Sequence, residues 1–321
     1  MTTTILKTEH LNKVYSLGSL FRRIRINALD DVNLEIKSDQ PLIISLVGES
    51  GSGKTTLAKV LLRIINPNSG SAVVYDRVVT GPNAVVERNT FLKSVQPIFQ
   101  NPFEAFSSYH PVDEYLQATA MRIDNLSQAE AVEAMTDTLN AVGLKYADVR
   151  GKYPNQFSGG ELQRISVARA LIPRPNMIIA DEPVSMIDAS MRMNVVNLFL
   201  SIKQEYKTSF LYITHDLATA YYISDFVAVM YRGCIVEFGA ARDVLADPMH
   251  PYTCLLLESI PSVKIKWDRK QYVNSDMETR EFQFVGCKFR NRCPKAKDIC
   301  IHQRPEAVLK ENGRQVYCHF A

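Results

Sequence analysis

Eight consecutive residues, Gly48, Glu49, Ser50, Gly51, Ser52, Gly53, Lys54 and Thr55, have the types and spacing of a phosphate-binding loop, G-x-x-x-x-G-K-T. Small residues let successive backbone N–H groups turn toward an anion, and a helix opening near Gly53 adds the positive end of its dipole. Lys54 supplies a mobile charge for the β- and γ-phosphates of a nucleotide. The Thr55 hydroxyl is a hard oxygen ligand of the kind Mg2+ prefers, and Thr56 continues the ATP-contacting run.

Other residues down the chain have chemistry that suits a nucleotide. Met177, Ile178, Ile179 and Ala180 read as a buried strand that ends at Asp181 and Glu182. Two adjacent carboxylates there are hard to explain by packing; in a phosphate-loop protein the first holds Mg2+ and the second polarises an attacking water. Val95 to Phe99 is a short strand ending at Gln100, whose amide oxygen suits Mg2+ or that water, although alone it would be a loop glutamine. Phe210 to Thr214 is another apolar strand, ending at His215, a candidate γ-phosphate sensor at the edge of a parallel sheet where ligands collect. Tyr15, at the end of a first strand, offers a ring for stacking on adenine or a plain edge-strand aromatic.

A second phosphate-seeking element lies at Ser158, Gly159, Gly160 and Glu161. Ser158 with Glu161 three residues on has the form of a capping box, which predicts a helix from Gly159 through Leu171, ended by Pro173. Two glycines in a first turn weaken a helix, so something is expected to approach that backbone closely. A chain that already has one phosphate loop then needs a second nucleotide or a second protomer.

The elements that must position these residues are an α/β body around a parallel sheet. Ile5 to Tyr15 and Ala28 to Ile36 alternate as strands, Leu42 to Val47 feeds the loop, a helix runs to Ile65, and Pro67 to Gly70 form a turn. Pro111 to Val142 has helical spacing and reads as an insert into the α/β body, while Val227 to Tyr231 and Cys234 to Phe238 read as a hairpin. The 321 residues suffice for one large domain and a smaller unit, 46% hydrophobic and 22% charged. A net charge of +3 argues against a nucleic-acid coat or a polybasic anchor, the local cluster Arg22, Arg23, Arg25 apart. No apolar run approaches the ~20 residues of a spanning helix and no secretion signal opens the chain, so a cytoplasmic location is expected. Cys287, Cys293, Cys300 and Cys318 follow a weakly patterned stretch from Pro261 to Phe284, spaced C-x5-C-x6-C-x17-C. Four thiolates suit Zn2+ or an iron–sulfur cluster, a staple that so short a tail is expected to need.

Taken together, Tyr15, Gly48 to Thr55, Gln100, Ser158 to Gln163, Asp181 and Glu182, Ser185 to Asp188, and His215 resemble the ATP-binding subunits of ABC transporters. The resemblance implies a RecA-like phosphate-loop core with an antiparallel β subdomain. It also implies a head-to-tail dimer, each ATP lying between one subunit's phosphate loop and the other's Ser158, Gly159, Gly160, Glu161 and Asp188. Within the family the chain is similar to the oligopeptide and dipeptide importers, through His250-Pro251-Tyr252-Thr253, Asp181-Glu182-Pro183-Val184-Ser185 and the cysteine-bearing tail. Phe157 resembles the second of that group's two ATPase subunits. Departures are Glu161 for the usual Gln, Met186 and Ile187 for Ala and Leu, and Asn101 for Asp.

That group implies a [4Fe-4S] cluster on the four cysteines, a second ATPase subunit as hetero-dimer partner, two transmembrane permease subunits and an external substrate-binding protein. It implies a peripheral position on the cytoplasmic face of the membrane, and members import peptides, oligosaccharides or nickel. The expected organisation is an ATPase domain over 1–262, its helical part about 101–172, and a cysteine-rich module over 263–321. A soluble ABC-type protein of repair or translation, gripping nucleic acid through its tail, is the rival reading. The single cassette, and a tail without an interleaved aromatic row, argue against it.

Overall fold

The computed structural model describes residues 2–17, 24–81, 84, 86–259 and 279–321, so the boundary expected at 262/263 lies outside the described residues. Its strands are β1 (Thr3–Leu17), β2 (Ile24–Ser38), β3 (Ile43–Val47), β4 (Ser69–Val74), β5 (Arg77–Thr80) and β6 (Val95–Ile98). After the helical insert come β7 (Met177–Asp181), β8 (Ser209–Thr214), β9 (Phe226–Tyr231), β10 (Cys234–Ala240), β11 (Val308–Leu309) and β12 (Gln315–Val316).

They form two sheets, β2-β1-β4-β5 and β11-β12-β10-β9-β3-β8-β7-β6. In the larger sheet β3 runs parallel to both β8 and β9, and β7 parallel to β6 and β8. β3 and β8 are buried at every position, as expected of apolar strands covered on both faces. The parallel alignment brings the C-terminal ends of β3, β6, β7 and β8 to one edge, where Val47, Ile98, Asp181 and Thr214 hand the chain to the residues singled out above.

The smaller sheet is antiparallel, and its hairpin β4-β5 carried no clear alternation in the sequence. Ser69 and Gly70, read as part of a turn, open β4. A Cβ on Gly70 would stand 2.3 Å from the His10 carbonyl oxygen, so only glycine lets the strand close on β1 there. The helix after the phosphate loop ends at Leu61, short of Ile65, and Arg63 leaves the helical region with φ +57°.

The helical insert comprises Val112–Ile123, Gln128–Ala141, Tyr146–Val149 and Gly159–Leu171. Leu116, Ala120, Met135, Leu139, Leu162 and Ile165 are fully buried in one core that continues into Ile98, Ile178 and Phe210 of the sheet. Insert and sheet therefore share apolar contacts rather than forming separate cores.

The tail is held by the rest of the chain. β12 pairs antiparallel with β10, extending the large sheet. The buried Phe289 ring lies 5.3 Å from Tyr231, 5.4 Å from Tyr252 and 5.9 Å from His250, centroid to centroid. Lys288 Nζ meets Asp30 Oδ2 at 2.7 Å, Arg304 also pairs with Asp30, and the buried pairs Arg314–Glu237 and Arg232–Glu281 close the interface. Among the described residues no group of three or more His, Cys, Asp or Glu is arranged to hold a metal ion. Burial pushes the Cys287 thiol up to about 11, with Cys300, Cys293 and Cys318 near enough to add to the rise. Ring packing and ion pairs tie the tail to the cassette.

His250 anchors this region. Its backbone N–H donates to Glu237 Oε2 at 3.1 Å, and its Nδ1 accepts from the Tyr252 N–H at 3.0 Å, capping the helix Pro251–Glu258. Burial lowers its pKa from 6.5 to about 3. Below pH 6.5 the unfolded chain takes up a proton here that the folded chain refuses until about pH 3, so stability falls with pH across that window. The slope reaches at most about 1.4 kcal/mol per pH unit. His250→Asn, which keeps a capping acceptor without a titrating ring, is expected to show a shallower loss of urea-unfolding free energy below pH 6.5 than the parent. Equal slopes would mean that His250 is not buried in its neutral form.

Candidate functional site

The phosphate loop occupies the gap between Val47 and the helix Lys54–Leu61. Gly48, Gly51 and Gly53 have φ of +150°, +78° and +109°. A Cβ on Gly48 would lie 2.2 Å from the Met230 carbonyl oxygen, and one on Gly53 would lie 2.4 Å from that of Ala28. From behind, the Gly233 N–H donates to the Ser52 carbonyl at 2.8 Å, and the Asp30 N–H to the Gly233 carbonyl at 2.9 Å. The loop backbone is thus fixed against β2 and the β9–β10 turn. No side chain caps the helix start at Gly53, which leaves its first-turn N–H groups available to an anion.

Lys54 is buried, and its Nζ donates to the carbonyl oxygens of Gly48 at 2.7 Å and Glu49 at 2.9 Å. Burial lowers its pKa, while Glu182, Asp181 and Glu49 act in the opposite sense. An ammonium resting on loop carbonyls beside three carboxylates can turn toward a phosphate without leaving its pocket. Asp181 is half-buried and its pKa is raised, first by burial, against a hydrogen bond to the Thr55 side chain and the charge of Lys54. Its Oδ1 is buried without a hydrogen-bond partner. A hydroxyl and an under-satisfied carboxylate oxygen side by side are the hard donor set that fits Mg2+.

Glu182 has φ +46°, uncommon for a residue with a side chain, and its N–H is tied to the Ile213 carbonyl at 2.9 Å. The carboxylate is mostly buried. Gln100 Nε2 donates to its Oε2 at 3.2 Å, and His215 Nδ1 lies 3.2 Å from its Oε1. Gln100, Glu182 and His215, from the ends of three strands, therefore converge on one carboxylate beside Lys54 and Asp181. A carboxylate held in this way by an amide and an imidazole, with a lysine and a second carboxylate nearby, can accept a proton from water next to a bound phosphate.

Ser158 and Glu161 form the capping box read from the sequence: Ser158 Oγ lies 2.7 Å from Glu161 Oε2, and the Glu161 N–H donates back to Ser158 Oγ at 3.3 Å. The bonds that the Ser158 hydroxyl and N–H donate to its carboxylate lower the Glu161 pKa. Within the chain this helix start faces Met186, Ile187 and Met191. A Cβ on Gly159 would be 3.4 Å from the Met186 carbonyl oxygen, and one on Gly160 would be 3.8 Å from Met191 Cε. Both are ordinary contacts, so nothing among the described residues requires glycine at either position. Asp188, exposed, sits at the start of the helix Ala189–Glu205 without capping it through its side chain. Tyr15 lies on β1 opposite Ile26, the Lys13 ammonium 5.6 Å from its ring centroid.

Two contacts at the loop carried no sequence signal. The Glu49 N–H donates to the Tyr252 hydroxyl at 2.8 Å, and the Glu49 carboxylate takes two bonds of 2.8 Å from the Arg292 guanidinium. Tyr252 belongs to the His250–Thr253 run, but nothing in that run points to the loop.

The family model described as "ABC transporter" matches residues 29–185, and that described as "Oligopeptide/dipeptide transporter, C-terminal region" matches residues 236–300. The chain is 34% identical over 321 residues to the di/tripeptide transport ATP-binding protein DppF of Pseudomonas aeruginosa, covering 99% of this chain and 98% of that one. It is 33% identical over 323 residues to the oligopeptide transport ATP-binding protein AppF of Bacillus subtilis, covering 99% and 97%. Among solved structures, the dimeric ATP-binding cassette MJ0796 bound to ADP and Pi superposes with a TM-score of 0.63 at 23% identity, covering 74% of this chain and 99% of that one. CbiO1 from Clostridium perfringens gives 0.61 at 24% identity, covering 76% and 92%. These likenesses bear out the phosphate-loop α/β fold with its antiparallel subdomain.

The loop geometry generates a direct test. Gly53→Ala drives a Cβ against the Ala28 carbonyl at a positive φ, a strain of about 1–3 kcal/mol or more. Binding of a fluorescent ATP analogue, measured by titration, is expected to weaken at least ~10-fold; unchanged affinity would show that the loop does not need this backbone.

Proposed function

This chain belongs to the ATP-binding subunits of the oligopeptide/dipeptide ABC transporter family, and from that membership we propose how its residues power import of peptides by hydrolysing ATP. The observation that carries the proposal is the meeting of Gln100, Glu182 and His215 beside Lys54 and Asp181 at one edge of the parallel sheet. In this reading Gly48, Glu49, Ser50, Gly51, Ser52, Gly53, Lys54, Thr55 and Thr56 cradle the phosphates, with Tyr15 on the adenine. Thr55, Asp181 and Gln100 would hold Mg2+, which would supply charge stabilisation at the phosphates. Lys54 swings from its carbonyl partners to the γ-phosphate, His215 orients that group, and Glu182 takes the proton from the attacking water.

Ser158, Gly159, Gly160, Glu161 and Asp188 serve the nucleotide of a facing subunit. The support is the pair of glycines in the first turn of a helix capped by Ser158 and Glu161, for which the described residues give no steric reason. Closure on ATP then pulls on two permease subunits through the helical insert, with an external binding protein delivering the substrate. The facing subunit is proposed to be a second, different ATPase chain, and the complex to sit on the cytoplasmic face of the membrane. Among the described residues no helix is long and apolar enough to cross a membrane. Residues 1–262 form the ATPase domain in this proposal, about 101–172 its helical part and 263–321 the tail.

The four tail cysteines are proposed to draw together around a [4Fe-4S] cluster, on the family resemblance, with the other three near enough to Cys287 to influence its thiol. Protein prepared without oxygen is then expected to be brown, absorbing near about 400 nm, with loss of colour in a variant lacking Cys287 and Cys293; a colourless zinc protein would contradict it.

Glu182→Gln keeps the shape of the side chain and removes the base. ATP binding is expected to persist while steady-state hydrolysis falls at least ~100-fold, with ATP-dependent dimers accumulating on size-exclusion chromatography. Turnover at the parent rate would show that the base is another group.

A further inference from the structure

Glu49 is the only acidic residue between Gly48 and Thr55, in a loop built to receive a polyanion. Left free, its carboxylate would repel the phosphates, and it is near enough to influence the Lys54 charge. Yet every polar group of Glu49 is engaged. Its carbonyl accepts from Lys54 Nζ at 2.9 Å, its N–H donates to the Tyr252 hydroxyl at 2.8 Å, and its two carboxylate oxygens each accept a bond of 2.8 Å from Arg292. The last two partners lie 203 and 243 residues away in sequence, both beyond the cassette's sheet core.

Neither partner is free to wander. Tyr252 is fully buried, its ring 4.5 Å from Tyr231 and 5.4 Å from Phe289, so its hydroxyl is aimed by ring packing. The Arg292 guanidinium lies 6.0 Å from the Tyr231 ring centroid and 5.7 Å from that of Phe289, against the same cluster. The tail grips the back of the loop by a second route as well. Lys288 and Arg304 pair with Asp30, whose N–H holds Gly233, and Gly233 in turn holds the Ser52 carbonyl.

We propose that Arg292 and Tyr252 are positioning residues of the ATP site: the C-terminal segment clamps Glu49, neutralising its charge and fixing the loop backbone in the form that receives phosphate. The tail is then a working part of the nucleotide site in the same chain, and its docking sets ATP affinity. Arg292 directly precedes Cys293, so any change in how the cysteine loop is held reaches the phosphate loop through one side chain. The proposal rests on the reading of Gly48–Thr55 as the ATP site, and the experiment separates the two.

The full-length chain with Mg2+ is titrated with a fluorescent ATP analogue, and ATP hydrolysis is measured in parallel. Arg292→Ala is expected to weaken binding about 3- to 10-fold, raising KM for ATP with kcat little changed, because Arg292 touches no reacting atom. Arg292→Lys, which keeps the charge and loses the fork, is expected to recover part of the loss. Tyr252→Phe, which keeps the ring and loses the hydroxyl, is expected to weaken binding by a smaller factor. The decisive arm is a cycle with Glu49→Ala. If Arg292 acts through Glu49, Arg292→Ala has no further effect in that background; a tail that is merely structural gives the same loss in both backgrounds and overturns the proposal. Parent-like affinity in Arg292→Ala also overturns it. A parent chain that fails to bind, or a Lys54→Ala variant that binds as the parent does, removes the ATP-site reading itself and the clamp with it.

Discussion

A loop of backbone amides can receive phosphate only if it is held open, and here it is held by contacts too close for side chains. Gly48 and Gly53 lie against the Met230 and Ala28 carbonyls, and Ser52 is bonded to Gly233. Those partners come from β2 and the β9–β10 turn, so the loop's shape depends on the antiparallel sheet and the parallel sheet being joined correctly. A loop held in this way has less conformational freedom to lose, which lowers the entropic cost of taking up a nucleotide.

The same edge solves a second problem, that of keeping an acid, a base and a cation together without mutual quenching. Burial alone disfavours charge on Lys54 and Asp181, and the Glu182 carboxylate needs hydrogen-bond partners of its own. Each is instead partly compensated: Lys54 by carbonyl oxygens and three carboxylates, Asp181 by Thr55 and Lys54, Glu182 by Gln100 and His215. Parallel strand order makes this possible, because β6, β7 and β8 deliver their last residues to the same side of the sheet as β3. The positive φ of Glu182 is the backbone cost of turning its carboxylate into that space.

Much of this was legible in the sequence because it is written locally. The phosphate loop follows an apolar strand, Ser158 and Glu161 are three apart, and Asp181-Glu182 and His215 terminate obvious strands. The β4-β5 hairpin was not legible, since Ser69–Val74 lacks a period-two pattern and closes on β1 by virtue of a glycine at His10. The tail was legible only in part. Its cysteines suggested a staple, while the partners that Phe289, Lys288, Arg304 and Arg314 find on the cassette left no mark in the sequence. No window of sequence announces that Arg292 reaches Glu49, because the pairing exists only once β10, the helix Pro251–Glu258 and the tail are packed.

One chain supplies a phosphate loop at one place and, at another, a glycine-lined helix start capped by Ser158 and Glu161 and facing Met186 and Met191. In the proposed function a single chain therefore holds halves of two different ATP sites. The most direct measurement is ATP hydrolysis per chain as a function of protein concentration, alone and with its partner ATPase. Activity per chain that rises with concentration and saturates as dimers form is the predicted result; a dilute, monomeric chain hydrolysing ATP at the full saturated rate would contradict it.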